Sequence, residues 1–424
     1  MTPNRLVDDA LAQCAPGRRV WVALSGGLDS SLLLHVTAPL AHARGLSLRA
    51  IHINHGLQAT AVDFETHCRD LCDRLAVPLT VVPVEVVPDG VGIEAAAREA
   101  RYRAFRQHLA AGDLLLLAQH ADDQAETFLL AALRGSGVRG LAAMPPLRQE
   151  AGIVIARPWL SLSRAALVEE ASQRKVSWVE DPTNGDDGYD RNYLRLRVLP
   201  ALAERWPQGA RALARSADWL QEADDLLGEL AAQDLSAAGG EPARLAITAL
   251  RPLRESRRRL LIRHALERLG VPPIPRSRLA ELDRQLLGAG EDRQVCVDWR
   301  GGEARLWRET LYLMAPLAPV APDWQREWDG RASLETPWGV HRIALMPLED
   351  RDVVASFRVT VRRGGECLRL EGRGRRDLKR LLQQAGVPPW QRERLPLIWH
   401  GDALIAVPGV ATAAGWRLTR AQAS

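Results

Sequence analysis

The chain has 424 residues, of which 25% are charged and 46% apolar, and its formal net charge is only +4. That is enough material for two or three domains and excludes a disordered, collagenous or strongly acidic or basic chain. No run of about 18 apolar residues occurs, and Asp8 and Asp9 stand where a signal peptide needs an apolar core, so a cytoplasmic protein without a membrane span is expected.

The five cysteines, Cys14, Cys68, Cys72, Cys296 and Cys367, are scattered without a C-x-x-C pair, which speaks against a disulfide framework or a structural zinc. Every basic residue is arginine except Lys175 and Lys379. Arginine enrichment alone is weak support for a polyanionic partner.

Val20 to Leu24 reads as a buried parallel strand, and a helix is expected from Ser30 to Arg44. Between them lies Ser25-Gly26-Gly27-Leu28-Asp29-Ser30. Two glycines let backbone N–H groups approach an anion, and the serine hydroxyls add donors at the positive end of the helix. No lysine follows as in a Walker A loop, so Mg2+ is expected to supply the missing positive charge, with Asp29 holding it. Ser-Gly-Gly-x-Asp-Ser after a strand resembles the PP-loop of N-type ATP pyrophosphatases, which split ATP between the α and β phosphates to adenylate a substrate.

Strands at Leu48 to Ile53, Leu79 to Val84 and Leu114 to Ala118 alternate with helices at about Ala61 to Leu75 and Ile93 to Ala111. The fold class is therefore α/β, a doubly wound, Rossmann-like parallel sheet, with ligands beyond the carboxyl ends of its strands. After the second strand, His52-Ile53-Asn54-His55-Gly56-Leu57 either faces a nucleotide or is a plain glycine turn. Arg98 and Arg101 either reach phosphate or pair with Glu94 or Glu99.

After the fourth strand comes His120-Ala121-Asp122-Asp123-Gln124-Ala125-Glu126-Thr127, running into a helix from Phe128 to Arg134. Asp122 and Asp123 each share a helical face with Glu126, and their repulsion needs a cation, either Mg2+ on ATP, the ammonium of an amine substrate, or both. Arg134-Gly135-Ser136-Gly137 forms a cationic corner. Farther on stand Arg157-Pro158-Trp159-Leu160, a helix opening at Ser163-Arg164, and Trp178-Val179-Glu180-Asp181-Pro182-Thr183-Asn184. Arg191, Arg195 and Arg197 then make a basic stripe interleaved with Tyr189 and Tyr193, which suits RNA backbone and an unstacked base.

The phosphate loop, H-x-x-D-D-Q-x-E-T, Arg134 to Gly137, W-x-E-D-P-T-N and R-N-x-x-R, in this order, resemble the tRNA(Ile)-lysidine synthase family in its long, three-domain form. The resemblance implies ATP and Mg2+ bound on Ser25 to Ser30, with His52 and Asn54 at a strand end lining the adenine pocket. It implies free L-lysine and an isoleucine tRNA with a CAU anticodon as partners. Asp29 and Asp122 are the expected metal ligands. His120 and Asp122 are assigned to the nucleotide side, Asp123 and Glu126 to lysine, and Arg134 to the α-phosphate. Arg191, Asn192 and Arg195 are expected to touch tRNA.

A PP-loop catalytic domain is expected over 1–205, a mainly helical tRNA-binding domain over 206–315 and a small α+β tRNA-binding domain over 323–424, after a Pro-rich joint from Ala315 to Pro322. In the second, Trp219, Leu220, Leu226, Leu227 and Leu230 form an apolar helical stripe. Arg254, Arg257, Arg258, Arg259 and Arg263 form a basic face, and Gln294 to Trp299 pairs with Glu303 to Leu313 as a hairpin around Gly301-Gly302. In the third, residues 362–380 carry eight basic and three acidic side chains. Arg362, Arg363, Arg375, Arg376 and Lys379 are its expected tRNA contacts. The helix at Val387-Pro388-Pro389-Trp390 and the strand Ala403 to Val407 look structural. A tRNA thiolase of the same superfamily, which needs paired catalytic or cluster-binding cysteines near the site, with only Cys68 and Cys72 as candidates, and a non-catalytic tRNA-binding protein are the competing readings. Whether two copies pair as a homodimer is left open by the sequence.

Overall fold

The computed structural model describes residues 2–55, 61–86, 93–180, 185–288, 295–348 and 356–420, and the chain divides into two compact units, Met1–Glu229 and Leu230–Ser424. The first unit runs α1 (Pro3–Leu11), β1 (Arg19–Ala23), α2 (Leu28–Ala43), β2 (Ser47–Asn54), α3 (Ala61–Arg74), β3 (Leu79–Pro83), α4 (Ile93–His108), β4 (Leu114–Leu116) and α5 (Ala121–Leu133). There follow α6 (Val138–Leu141), β5 (Leu147–Glu150), β6 (Ile153–Ala156), α7 (Arg164–Gln173), α8 (Asp190–Tyr193), one π-helical turn at Leu194–Val198 and α9 (Leu199–Arg205).

The sheet order is β3-β2-β1-β4-β6-β5, with the first five strands parallel and β5 antiparallel at the edge. Side chains alternate across it. Val20, Val22, Leu114 and Leu116 enter the core built with α2, whereas Trp21, Leu115 and Ile155 enter the core built with Tyr102 and Phe105 of α4. Both faces are covered, which is why the strands read as continuous apolar runs. The Trp21 indole donates to buried Asp113 (2.9 Å), whose carboxylate also accepts the Arg19 and Ala110 N–H groups, so this charge is fully engaged.

The chain order reverses between β1 and β4, so the loops leaving these two strands diverge and open a crevice at their carboxyl ends. The phosphate loop and the His120 segment are those two loops. Helix α2 starts at Leu28, earlier than expected, which puts Asp29 and Ser30 into its first turn. Helix α5 starts at Ala121, so all three carboxylates after His120 are helical. Neither α1 nor the β5–β6 hairpin was expected.

In the second unit, helices Glu255–Arg268 and Arg276–Gly288 pack on a four-stranded antiparallel sheet of Arg244–Ala246, Val295–Trp299, Gly302–Trp307 and Thr310–Met314. The region expected as one strand from Glu303 to Leu313 is two, because Arg308 and Glu309 both take positive φ (45° and 56°) and turn the chain. Gln294 lies outside the described residues. Helix Gly209–Ala237, most of which belongs to the first unit, forms where the apolar stripe predicts it, yet Trp219 and Leu226 are 68% and 65% exposed rather than packed.

The C-terminal part holds a five-stranded sheet of Gln325–Trp328, Phe357–Thr360, Leu397–His400, Ala403–Val407 and Ala411–Thr412, with helix Leu378–Gln384 against its core. A two-stranded arm, Cys367–Leu370 with Gly374–Asp377, carries Arg369, Arg375 and Arg376. No helix among the described residues is long and apolar enough to cross a membrane.

Candidate functional site

The loop after β1 closes on itself. Ser30 Oγ accepts the Ser25 N–H (3.1 Å) and donates to the Gly27 carbonyl (3.2 Å), and the two serine hydroxyls are 2.9 Å apart. Gly26 has φ +92°, and a Cβ there would stand 3.0 Å from Phe64 Cδ1 and 3.3 Å from Cys68 Sγ. Only glycine lets the loop lie this close to α3. The first intrahelical bond of α2 runs from Ser31 N to Gly27 O (3.0 Å), so the N–H groups of Leu28, Asp29 and Ser30 precede the helical ladder. They converge at the positive end of the helix dipole, where a phosphate is stabilised.

Across the crevice, His120 caps α5 and its backbone N–H donates to Asp123 Oδ2 (3.1 Å). Its ring is 2% exposed and is surrounded by carboxylates: Asp122 Oδ2 at 3.5 Å, Asp123 Oδ2 at 3.5 Å and Asp29 Oδ2 at 3.8 Å. Burial opposes a charge on this ring, but these neighbours outweigh it and raise its pKa above the ordinary histidine value. Asp29 is pushed the other way: burial raises its carboxyl pKa, and Oδ1 is buried without a hydrogen-bond partner among the described residues. For Asp122, desolvation is outweighed by His120 and by the Arg164 N–H, which donates to Oδ2 at 2.8 Å, and its pKa is lowered.

The cation beside Asp123 and Glu126 in this structure is arginine. Glu126 is fully buried; Oε1 accepts Arg195 Nε (2.7 Å) and Oε2 accepts Arg191 Nε (2.6 Å) and Arg195 Nη2 (3.1 Å). Asp123 Oδ1 receives Arg191 Nη2 at 3.2 Å and Arg195 Nη2 at 3.3 Å. The two arginines expected to touch RNA are thus in contact with the two carboxylates expected to receive an amine. Asn192 donates to the Asp186 carbonyl (2.9 Å).

Other expected site residues stand apart from this centre. Arg134 caps the opposite end of α5, about 20 Å along the helix from His120. It is exposed and 3.5 Å from Asp190, so the structure does not bring it to the carboxylates. His52 is 4% exposed, with Nδ1 donating to the Leu24 carbonyl (2.8 Å); burial lowers its pKa, and the ring braces the end of β1. Asn54 donates to Glu65 (3.1 Å). Gly56 and Leu57, like Asp181 to Asn184 of the Trp178 signature, lie outside the described residues. Val179 N does reach back to the Gly26 carbonyl (3.0 Å), tying that signature to the phosphate loop.

Two contributors escaped the sequence. Arg164 opens α7, donates its N–H to Asp122 and acts electrostatically on Asp29; the helix start at Ser163-Arg164 was the available signal. Arg157, 2% exposed, bonds Gln119 Oε1 (2.6 Å), the Pro145 carbonyl (2.8 Å) and the Tyr102 hydroxyl (3.3 Å), anchoring the residue before His120.

In the second unit, Arg363, Arg375, Arg376 and Lys379 are exposed, whereas Arg362 is half-buried with Nε 3.6 Å from Glu366 Oε2. Of the expected basic face, Arg257 pairs with Asp234, Arg258 with Asp283 and Arg259 with Glu255, while Arg254 and Arg263 are exposed.

The chain matches the PP-loop domain over residues 3–202, the TilS substrate binding domain over 245–312 and the TilS substrate C-terminal domain over 357–424. It is 43% identical to a tRNA(Ile)-lysidine synthase of Xanthomonas axonopodis pv. citri, covering 95% of this chain and 91% of that protein. It is 44% identical to that of Pseudomonas aeruginosa (96% and 95% covered) and 40% identical to that of Shigella flexneri (94% and 93% covered). With a nucleotide crevice in the first unit and relatives matched along nearly their whole length, the chain belongs to the tRNA(Ile)-lysidine synthase family.

Proposed function

We infer that this protein joins free L-lysine to C2 of the wobble cytidine in an isoleucine tRNA with a CAU anticodon, consuming ATP and releasing AMP and pyrophosphate. The observation that carries the reading is the meeting of phosphate loop and acidic cluster, with His120 Nε2 3.8 Å from Asp29 Oδ2 and 3.5 Å from Asp123 Oδ2. One pocket then serves both a nucleotide and an amine.

In the first step the cytidine O2 forms a bond to the α-phosphorus and the bond to the leaving pyrophosphate breaks. The N–H groups of Leu28, Asp29 and Ser30 and the ring of His120 are suited to stabilise the charge that grows there. In the second step the lysine ε-nitrogen attacks C2 and the adenylated oxygen leaves as AMP. The ammonium must first lose a proton, for which Asp123, backed by Glu126, is the proposed acceptor.

Mg2+ fits Asp29, whose buried Oδ1 lacks a hydrogen-bond partner among the described residues, with Asp122 as a second ligand; the ion would neutralise phosphate charge. tRNA would lie on Arg191, Asn192 and Arg195 and on the arm with Arg363, Arg375, Arg376 and Lys379. We assign the catalytic, helical and C-terminal domains to 1–205, 206–315 and 323–424, and the protein to the cytoplasm.

A thiolase is not favoured. Cys68 and Cys72 are buried on α3, with burial pushing both thiols up to about 12, so neither forms a thiolate readily. The test is to incubate the protein with ATP, radiolabelled lysine and total tRNA and to identify the labelled nucleoside. Label in the wobble cytidine of an isoleucine tRNA is expected; its absence would refute the reading. Asp123→Asn should abolish incorporation while leaving tRNA-dependent ATP–pyrophosphate exchange measurable. Loss of both would move Asp123 to the adenylation step.

A further inference from the structure

Both carboxylates proposed to receive lysine are already occupied. Arg191 and Arg195 together direct five hydrogen bonds at Glu126 and Asp123. An ammonium cannot add to this square of two guanidiniums and two carboxylates without displacing a donor, because buried Glu126 has both oxygens engaged.

The arginines stand on a segment with a second arrangement within reach. Arg191 is in α8, and Arg195 lies in the π-helical turn Leu194–Val198. A π-turn is a rare, widened turn; tightening it to α geometry rotates the residues after it relative to Arg191. The same segment exposes Tyr189 (41%), Tyr193 (51%) and Arg197, the side-chain types that meet an RNA backbone and an unstacked base. A phosphate offers each guanidinium the same forked geometry that it finds at a carboxylate.

We propose that Arg191 and Arg195 gate the amine site: without RNA they fill it, and tRNA draws them onto its backbone and frees Asp123 and Glu126 for lysine. The proposal rests on the assignment of those carboxylates to lysine. Lysine binding and tRNA binding then strengthen each other reciprocally, because each displaces the arginines in the same direction.

Equilibrium dialysis of radiolabelled lysine against the full-length enzyme with α,β-methylene ATP, with and without a transcript of the isoleucine tRNA, tests this. The lysine Kd is expected to fall at least about fivefold when tRNA is present, and the tRNA Kd to fall by the same factor with saturating lysine. Arg191→Gln and Arg195→Gln should each tighten lysine binding in the absence of tRNA. An unchanged lysine Kd in the wild type with and without tRNA overturns the gate, and this comparison stands even if the variants fail to fold. Failure of the wild type to incorporate lysine would instead sink the proposed function, so incorporation with a tRNA-independent lysine Kd rejects the gate alone.

Discussion

Replacing each of the two loop glycines by alanine separates what the loop does for the fold from what it does for the nucleotide. Gly26 has φ +92°, with Phe64 Cδ1 and Cys68 Sγ 3.0 and 3.3 Å from where a Cβ would stand. A side chain in the left-handed region costs about 1–2 kcal/mol. Forcing a methyl against packed neighbours adds about 1–3 kcal/mol. Gly26→Ala is therefore expected to destabilise the first unit by roughly 2–5 kcal/mol, a fall in melting temperature on the order of 5–20 °C. Gly27 has φ −76°, and its Cβ would find only Ser25 Oγ, at 3.7 Å. Gly27→Ala should leave stability within about 0.5 kcal/mol, as for a substitution that meets nothing. Its methyl would nevertheless stand where the backbone must approach phosphate. Loss of one or two N–H bonds to a charged group, at about 1.5–3 kcal/mol each, weakens binding on the order of ten- to a hundredfold or more. Thermal unfolding and titration with α,β-methylene ATP on both variants give the two readouts. Unchanged nucleotide affinity in a folded Gly27→Ala protein would refute the phosphate cradle.

Glu126→Gln leaves two guanidiniums facing a neutral amide in a buried place, and breaking such a pairing costs about 3–5 kcal/mol. Denaturant unfolding should show this loss together with abolished lysine transfer, and a variant of wild-type stability would contradict the ion-pair geometry. For His120, the folded pKa is raised, so its stabilising contribution is complete below the unfolded value of about 6.5 and fades as pH rises through the folded value. The stability gap between wild type and His120→Gln should be constant well below about pH 6.5 and narrow as pH rises above it, and a gap independent of pH would exclude the carboxylate cage as its source. Cys68→Ser and Cys72→Ser should retain lysidine formation, and in the native enzyme thiol reagents should modify these two buried positions far more slowly than exposed Cys296; selective loss of activity in a stable variant would reopen the sulfur-transfer reading. Changing Arg375, Arg376 and Lys379 to alanine should lower the salt slope of tRNA binding by about 2–3 without altering nucleotide affinity.

The sequence exposes the strand, loop and helix around residues 20–34 because apolar continuity, paired glycines and helical periodicity change abruptly there. It hides β5 and β6, since each is a four-residue strand, too short for its period to stand out. The turn at Arg308–Glu309 is equally silent, because two charged residues occupy positive φ where glycine or asparagine is the usual signal. Within the site, the carboxylates were legible as a local cluster on one helix. Their partners were not: Arg191 and Arg195 are 65 and 69 residues from Glu126, and no local pattern reports a pairing that only the fold creates. Arg134 shows the complementary effect. It is near Glu126 in sequence, but a continuous α5 carries it to the far end of the helix.

Compensation differs among the four carboxylates, and we propose that this difference divides their roles. Glu126 and Asp123 are matched by two guanidiniums, so they gain little from a metal ion and respond only to something that competes with arginine. Asp122 is matched by His120 and the Arg164 N–H, and its lowered pKa marks a carboxylate already stabilised as an anion. Of the four, Asp29 combines a raised pKa with a buried oxygen that lacks a hydrogen-bond partner among the described residues, at the start of the helix that bears the phosphate loop. A divalent cation therefore relieves most free energy at Asp29, next to the phosphates it would neutralise, and least at Glu126. On that ground adenylation should fail first when Asp29 is changed and lysine transfer first when Glu126 is changed, although the ring of His120 lies between Asp29 and Asp123.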